Sequence, residues 1–177
     1  WPDVTGLSVL AVSGAKSQES VWFSATQISS SAAIRKMLAD SEVPKVGYDL
    51  KRQIVGLSRL GVDLIGVLFD PLIAGHLLDA GQRNQGLADL LDRFSDVVSA
   101  SEILQDIPLT AEQGACVCHS VAALVHSMSD DIKKSGFQSL FNDVELPLAV
   151  VLAKMECRGV CVDTDLLNRL SVDYTLE

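Results

Sequence analysis

Cysteine and histidine are the side chains of this sequence that could bind a transition metal. Cys116 and Cys118 are separated by one residue and His119 follows directly, whereas Cys157 and Cys161 are four residues apart. Structural zinc sites usually contain a C-x2-C pair, so the C-x-C spacing argues against zinc. We therefore expect the four cysteines to be buried, reduced thiols of an intracellular protein, and we expect no metal site.

The remaining polar side chains have simple structural explanations. No glycine-rich elbow presents a serine nucleophile. The three histidines fall on predicted helical faces, where a single histidine is usually structural; they are His76, His119 and His126. Asp49 and Asp70 each precede a helical pattern of apolar residues, so both are predicted to cap helix N-termini.

The stretch 46–79 contains both aspartates and organises the chain. Its pattern predicts a short strand, a helix that begins after Asp49 and ends near Gly61, and a buried apolar strand over 62–69. A second helix follows Asp70, with a proline at its first position. Two helices around an apolar strand predict an α/β layer.

The segments on either side complete the predicted fold. Apolar runs at 7–12 and 21–25 are joined by a turn-rich link, which predicts an antiparallel hairpin. Further helices are predicted from Ala32, from Leu87, and from Ala111 to about 127–131. We therefore expect an α/β fold whose mixed sheet combines the antiparallel hairpin with parallel strands near 46 and 64–69.

Charge and length exclude several classes of protein. The chain has 177 residues and a net charge of −9, which indicates one compact domain or one domain with a helical extension. Its basic residues are scattered, which argues against a self-sufficient nucleic-acid binder, although a weak contact through Lys51 and Arg52 remains open. No run of 18 apolar residues could cross a membrane, and no G-x-G-x-x-G motif suggests a dinucleotide.

The two ends of the chain suggest that it is a fragment of a longer protein. It begins abruptly at Trp1 without a secretion leader, and it ends on a helical pattern.

The C-terminal third carries a long helical pattern over 137–157. Pro147 should bend this helix or start a new one, and Gly159 should end it. Asp163 is then predicted to cap a last helix. One continuous apolar stripe runs along the first helix, formed by Leu140, Val144, Leu148, Val151, Leu152 and Met155. Such a stripe must pack against something larger.

The same segment carries a family resemblance. The sequence VELPLAVVLAKMECRGVCVDTDLL resembles the segment of the DNA polymerase I family (family A) that joins the 3′-5′ exonuclease domain to the polymerase domain. The family pattern E-x-P-L, L-x-x-M-E and G-V-x-V-D is present at Glu145, Pro147, Leu148, Leu152, Met155, Glu156, Gly159, Val160, Val162 and Asp163. Upstream, GVLFDPLIAGHLLD resembles the strand and helix that follow the family's second exonuclease motif.

The resemblance covers nearly the whole chain and implies its fold and domains. It implies a ribonuclease H-like mixed sheet flanked by helices, with a C-terminal helical extension. We expect an exonuclease-like domain over 1–135 and a helical connector to the polymerase domain over 136–177.

The family's exonuclease chemistry can be compared residue by residue. Active members hold two divalent metals with four carboxylates, and a tyrosine orients the attacking water; amide or alkyl side chains cannot replace these groups. No carboxylate occurs in 7–12, where the first motif should lie. Gln53 occupies the metal-related aspartate position of the second motif, and Asp49 replaces its asparagine. In the third motif, Val117 replaces the tyrosine and Val121 replaces the aspartate. The resemblance therefore implies neither catalytic nor metal-binding residues here.

This comparison predicts a degenerate 3′-5′ exonuclease domain that supports a DNA polymerase domain in replication and repair. The fragment itself should need no cofactor, whereas the parent nucleotidyltransferase should use Mg²⁺. Its expected partners are the polymerase domain of the same chain and, through the parent protein, DNA; no membrane is involved and no DNA-binding residue is assigned. The expected location is the bacterial cytoplasm, or an organelle or the nucleus if the source is eukaryotic.

Two alternatives stay open. The first is an active proofreading exonuclease with a rearranged metal site, which would require three or more converging carboxylates from Asp49, Asp63, Asp70 and Glu112. The second is a binding module of a eukaryotic or organellar repair polymerase, which the flanking domains would reveal.

Overall fold

The computed structural model describes residues 6–10, 20–82, 86–95 and 111–175. Its four strands are β1 (Gly6–Leu10), β2 (Ser20–Ser24), β3 (Lys45–Val46) and β4 (Val67–Phe69). Its helices through the middle of the chain are α1 (Ala25–Ser30), α2 (Ala32–Ala39), α3 (Leu50–Arg59), α4 (Pro71–Leu78), α5 (Leu87–Phe94) and α6 (Ala111–Lys134). The C-terminal part contains α7 (Gln138–Leu140), a π-helical turn (Phe141–Glu145), α8 (Leu146–Arg158) and α9 (Thr164–Thr175).

The strands form two separate pairs within the described ranges. β1 and β2 pair antiparallel, from Gly6 opposite Ser24 to Leu10 opposite Ser20, which confirms the predicted hairpin. β3 and β4 pair parallel, as predicted. Within these residues the two pairs are not joined, and together they contain the antiparallel and parallel strand pairs that the mixed sheet predicts. Strand β3 has only two residues and an irregular register, so it offers little ladder to a further strand. Residues 11–12 of the predicted first strand lie outside the described ranges.

The predicted strand over 62–69 is shorter in the structure. The N–H of Ile65 donates to the carbonyl of Leu38 at 3.0 Å, so the chain first follows α2. Gly66 then adopts a positive φ of 80°, and a Cβ there would lie 2.8 Å from the carbonyl oxygen of Val43. Pairing with β3 therefore begins only at Val67.

Two helices differ from the prediction. The residues after Ser24 form α1, because the Ser24 and Gln27 side chains cap each other's backbone N–H groups in a capping box. Helix α6 continues to Lys134 instead of ending near 127–131. Ser127 and Ser129 lie within it and donate to carbonyls of the preceding turn, so they do not end the helix.

The buried apolar side chains form two cores. The first core lies among β4, α4, α5 and α6 and consists of Phe69, Ala74, Leu87, Leu90, Leu91, Val121, Leu124, Met128, Ile132, Phe141 and Leu146. The second core lies among α1, α2 and α3 and consists of Ile28, Leu38, Leu50, Ile54, Val55, Leu57, Val62, Leu64 and Ala153. Helix α8 contributes to both cores, through Leu146 to the first and through Ala153 to the second.

The C-terminal helical pattern is confirmed, and α8 begins at Leu146, directly after the π-helical turn, with Pro147 in its first turn. Gly159 ends α8 with a φ of 68°. The side chain of Asp163 accepts a hydrogen bond of 2.9 Å from the N–H of Leu166, which confirms the predicted cap. Within the described ranges, no helix combines the length and apolar character needed to cross a membrane.

Candidate functional site

Asp70 joins the N-termini of two helices. Its carboxylate is 1% exposed and accepts three backbone hydrogen bonds. The N–H of Leu72 donates at 2.9 Å, which confirms the predicted cap of α4. The N–H groups of Asp49 and Leu50 donate at 3.1 and 2.7 Å, so the same carboxylate also holds the start of α3. The buried carboxylate therefore fixes α3 and α4 relative to each other.

Burial dominates the electrostatics around this carboxylate. It raises the pKa of Asp70 to about 6, although the three backbone hydrogen bonds act in the opposite direction and the charge of Asp49 adds slightly to the rise. Burial also raises the pKa of the Tyr48 hydroxyl to about 12, with smaller contributions from Asp49, Asp70 and Asp89. Tyr48 is therefore neutral at physiological pH, and Asp70 takes up a proton at a higher pH than an exposed aspartate would.

Asp49 caps α3 from a left-handed conformation. Its φ is 54°, and its side chain accepts from the N–H of Arg52 at 3.2 Å. Two residues earlier, Gly47 is buried, and a Cβ there would lie 2.9 Å from a methyl carbon of Leu50 and 3.1 Å from the amide nitrogen of Gln53. A larger residue at position 47 would therefore have to displace the Leu50 and Gln53 side chains at the start of α3.

The three positions singled out by the family comparison lie on two elements. Gln53 is half-buried on α3, and its Nε2 donates to the carbonyl of Tyr48 at 2.9 Å. Val117 and Val121 lie on α6, where Val121 is 5% exposed within the first core and Val117 packs against that core. The Gln53 amide thus ties α3 to the chain that leads into it, and both valines contribute to packing.

The carboxylates of the alternative, rearranged site converge only in part. Asp49 and Asp70 are neighbours through the hydrogen bond described above. Asp63 is exposed in the segment after α3, and the side chain of Glu112 lies outside the described part of the structure. In the described part of the chain, no three acidic, histidine or cysteine side chains lie close enough together to hold a metal ion.

The expectation of buried thiols is wrong for most of the cysteines. All four are free thiols, but Cys116, Cys157 and Cys161 are exposed. They lie on outward helix positions or beyond the end of α8, where the apolar pattern does not require burial. Cys118 is half-buried, and burial raises the pKa of its thiol.

The packing of α8 against α3 involves both charged and apolar side chains. Lys51 near the start of α3 forms an ion pair with Glu156 on α8, so one of the two basic residues that could have contacted nucleic acid already has a partner. Ala153 is 0% exposed against the second core. A cavity of about 270 Å³ lies near this contact and is lined by Val55, Ser58, Arg59, Glu156 and Cys157.

The opposite side of α8 exposes the apolar stripe predicted from the sequence. We call it the outer face; its residues are Leu140, Val144, Leu148, Val151, Leu152 and Met155, and each is between 39% and 62% exposed. Helix α9 also exposes apolar side chains, at Leu166, Leu167 and Leu170. Contiguous apolar surface of this kind usually marks an interaction site.

Comparisons with known proteins agree with the predicted fold and family. Residues 6–106 match the family model of the DNA polymerase I ribonuclease H-like domain. The chain is 32% identical over 148 residues to DNA polymerase I of Geobacillus stearothermophilus, covering 78% of this chain and 17% of the relative. It is 27% identical over 185 residues to DNA polymerase I of Mycobacterium bovis, covering 97% of this chain and 20% of the relative.

A solved structure extends the likeness over almost the whole chain. The structure of the polymerase domain of Pol1 from M. smegmatis, in complex with DNA primer-template and dNTP, superimposes with a TM-score of 0.80 at 26% identity. The match covers 98% of this chain and 29% of that chain. The chain thus spans a minor part of its polymerase relatives. It belongs to the DNA polymerase I ribonuclease H-like domain family, the exonuclease-like region of family A DNA polymerases.

Proposed function

We propose that this chain is a degenerate 3′-5′ exonuclease domain that supports the polymerase domain of a DNA polymerase I. The observation that carries the proposal is the packing of Val121. At the position where the family resemblance expects a metal-binding aspartate, this valine is 5% exposed within the first core. An alkyl side chain cannot bind a metal ion or polarise water.

The other positions support the same proposal. Gln53 offers a neutral amide whose nitrogen is engaged with the Tyr48 carbonyl, and Val117 has no oxygen. Asp49 and Asp70 use their side-chain oxygens to accept from backbone N–H groups of helix starts. These donors do not fit a pair of divalent cations, and this set of side chains therefore does not support a hydrolytic step.

The supporting role is inferred from the exposed apolar surface of α8 and α9. The outer face consists of six apolar side chains along one side of the connector, and all of them are exposed. Relatives of this chain are several times longer, and the matched structure carries a polymerase domain. We infer that the polymerase domain of the same polypeptide covers this face, and that DNA and Mg²⁺ belong to that domain. Since both of the relatives named are bacterial, we infer a bacterial replication and repair polymerase in the cytoplasm.

A charge placed on the outer face tests the supporting role. In the full-length polymerase, Val151→Asp together with Met155→Asp would place two carboxylates in the proposed contact, where their desolvation is unfavourable. The contact should therefore weaken, and this domain should unfold independently of the polymerase domain. Lys154→Asp is the matched control, because Lys154 is exposed on α8 outside the outer face. Scanning calorimetry should give two separated transitions for the double variant and the parental profile for the control. An unchanged profile for the double variant would contradict the proposed docking.

A further inference from the structure

The helical stretch from Gln138 to Arg158 contains a π-helical turn at Phe141–Glu145. The N–H of Leu146 donates to the carbonyl of Phe141, five residues earlier, across the π-helical turn. On either side, the hydrogen bonds span four residues, from Phe141 to Phe137 at 2.8 Å and from Gly159 to Met155 at 3.0 Å. Single π-turns inside helices are uncommon and usually have a specific role.

The turn is anchored at both ends by buried side chains. Phe141 is 2% exposed in the first core, and its ring centroid lies 4.8 Å from that of Phe69. On the α8 side, Leu146 is buried in the first core and Ala153 in the second. One helical connector therefore has to present three anchors on the same, inward side.

A regular α-helix could not bring all three anchors to one side. An α-helix advances about 100° per residue, so Leu146 and Ala153 differ by only about 20°. Phe141, five residues before Leu146, would lie about 140° away and would join the outer face. A π-turn advances roughly 80° per residue, which reduces this difference to about 40° and turns Phe141 inward.

The same turn keeps the outer face straight. Leu140 and Val144 are 39% and 49% exposed, on the same side as Leu148 of α8. We propose that the π-helical turn at Phe141–Glu145 adjusts the angle at which side chains leave the connector, and we call it the phase adapter. It lets one connector bury Phe141 in the first core and Ala153 in the second while presenting a single continuous apolar face. The inference rests on the proposed function for the purpose of that face, but the geometry of the adapter concerns this chain alone.

Deletion of Asn142 tests the adapter, because it removes the extra residue and should make the connector α-helical throughout. Phe141 then lies four residues before Leu146, about 40° away in an α-helix, so all three anchors stay inward. The deletion should therefore lower the melting temperature by no more than about 4 °C. Deletion of Ala149, in the regular part of α8, should lower it by about 10 °C, because Leu146 and Ala153 then differ by about 120° and one of them must leave its core.

Phe141→Ala is the matched control for this experiment. Phe141 should face its core both in the parental chain and after deletion of Asn142, so its substitution should lower the melting temperature by about the same amount in both backgrounds. A loss of stability on deletion of Asn142 as large as that on deletion of Ala149 would overturn the inference, because the extra residue would then not serve to keep the anchors on one side.

A second measurement needs no deletion and decides the question even if that variant fails to fold. In the unaltered chain, nuclear magnetic resonance should detect scalar coupling across the hydrogen bond from the Leu146 nitrogen to the carbonyl carbon of Phe141. Coupling to the carbonyl carbon of Asn142 instead would overturn the inference. Loss of docking to the polymerase domain with this coupling intact would count against the proposed function only.

Discussion

The substitution Asp70→Asn should change how stability depends on pH. Asp70 is 1% exposed, and burial raises its pKa from an ordinary value of 3.8 to about 6. A raised folded-state pKa means that the folded protein favours the protonated carboxyl. The stability contributed by protonation is complete below pH 3.8 and is lost as the pH rises through 6.

The magnitude follows from the shift. One pKa unit corresponds to about 1.4 kcal/mol, so a rise from 3.8 to about 6 is worth about 3 kcal/mol in total, of which about 2 to 3 kcal/mol falls between pH 4 and 7. Asparagine has nearly the same shape and no charge to lose. The free energy of unfolding of the parental chain, minus that of Asp70→Asn, should therefore fall by this amount as the pH rises from 4 to 7.

Urea unfolding at constant ionic strength, followed by far-ultraviolet circular dichroism, measures this difference. Asp63→Asn is the control, because Asp63 is exposed and its substitution removes the same single negative charge. If the free energy of unfolding of the parental chain, minus that of Asp70→Asn, increases with pH, the reasoning is refuted. Such an increase would mean that the three N–H donors stabilise the ionised form more than burial opposes it.

Three further experiments test the packing around the site. Gly66→Ala should reduce the free energy of unfolding by about 2 kcal/mol or more, because its Cβ would meet a backbone oxygen. Gly61→Ala is the control: it has the same left-handed strain but open space around it, and it should cost about 1 kcal/mol. Equal losses in urea unfolding would contradict this prediction. Ala153→Leu should cost about 1–3 kcal/mol by overpacking the contact between α3 and α8, and an unchanged urea midpoint would show that the contact is loose. A double-mutant cycle on Lys51 and Glu156 should give a coupling energy of about 0.2–1 kcal/mol that weakens with salt, because both side chains are about one-third exposed. A larger coupling energy that does not depend on salt would contradict the description of this pair as a solvent-screened ion pair.

Features set by neighbouring residues could be predicted from the sequence. The caps at Asp49, Asp70 and Asp163 depend on hydrogen bonds to the next two or three residues, so residue type and spacing were sufficient. The hairpin and the apolar stripe of the connector depend on short-range periodicity and were also correct. The family resemblance then identified the fold, which the comparisons bear out.

Features set by distant residues were missed. The carboxylate of Asp70 also binds N–H groups about twenty residues earlier in the chain, and no local pattern reveals which helix start will meet it. The π-turn accommodates the burial of Phe141 and Ala153 in different cores, whereas periodicity predicted one helical pattern that Pro147 would bend or restart, with no sign of a wider turn. Exposure of the cysteines was misjudged because average burial of a residue type says little about one position.

The most direct test of the central claim is release of nucleotides from the 3′ end of single-stranded DNA by the purified chain, with Mg²⁺ or Mn²⁺ present. The proposed loss of the metal-binding carboxylates predicts release no faster than in a blank without protein, at any concentration of either ion. Metal-dependent release that disappears in Asp49→Ala or Asp70→Ala would contradict the account and assign a working exonuclease site to these two carboxylates.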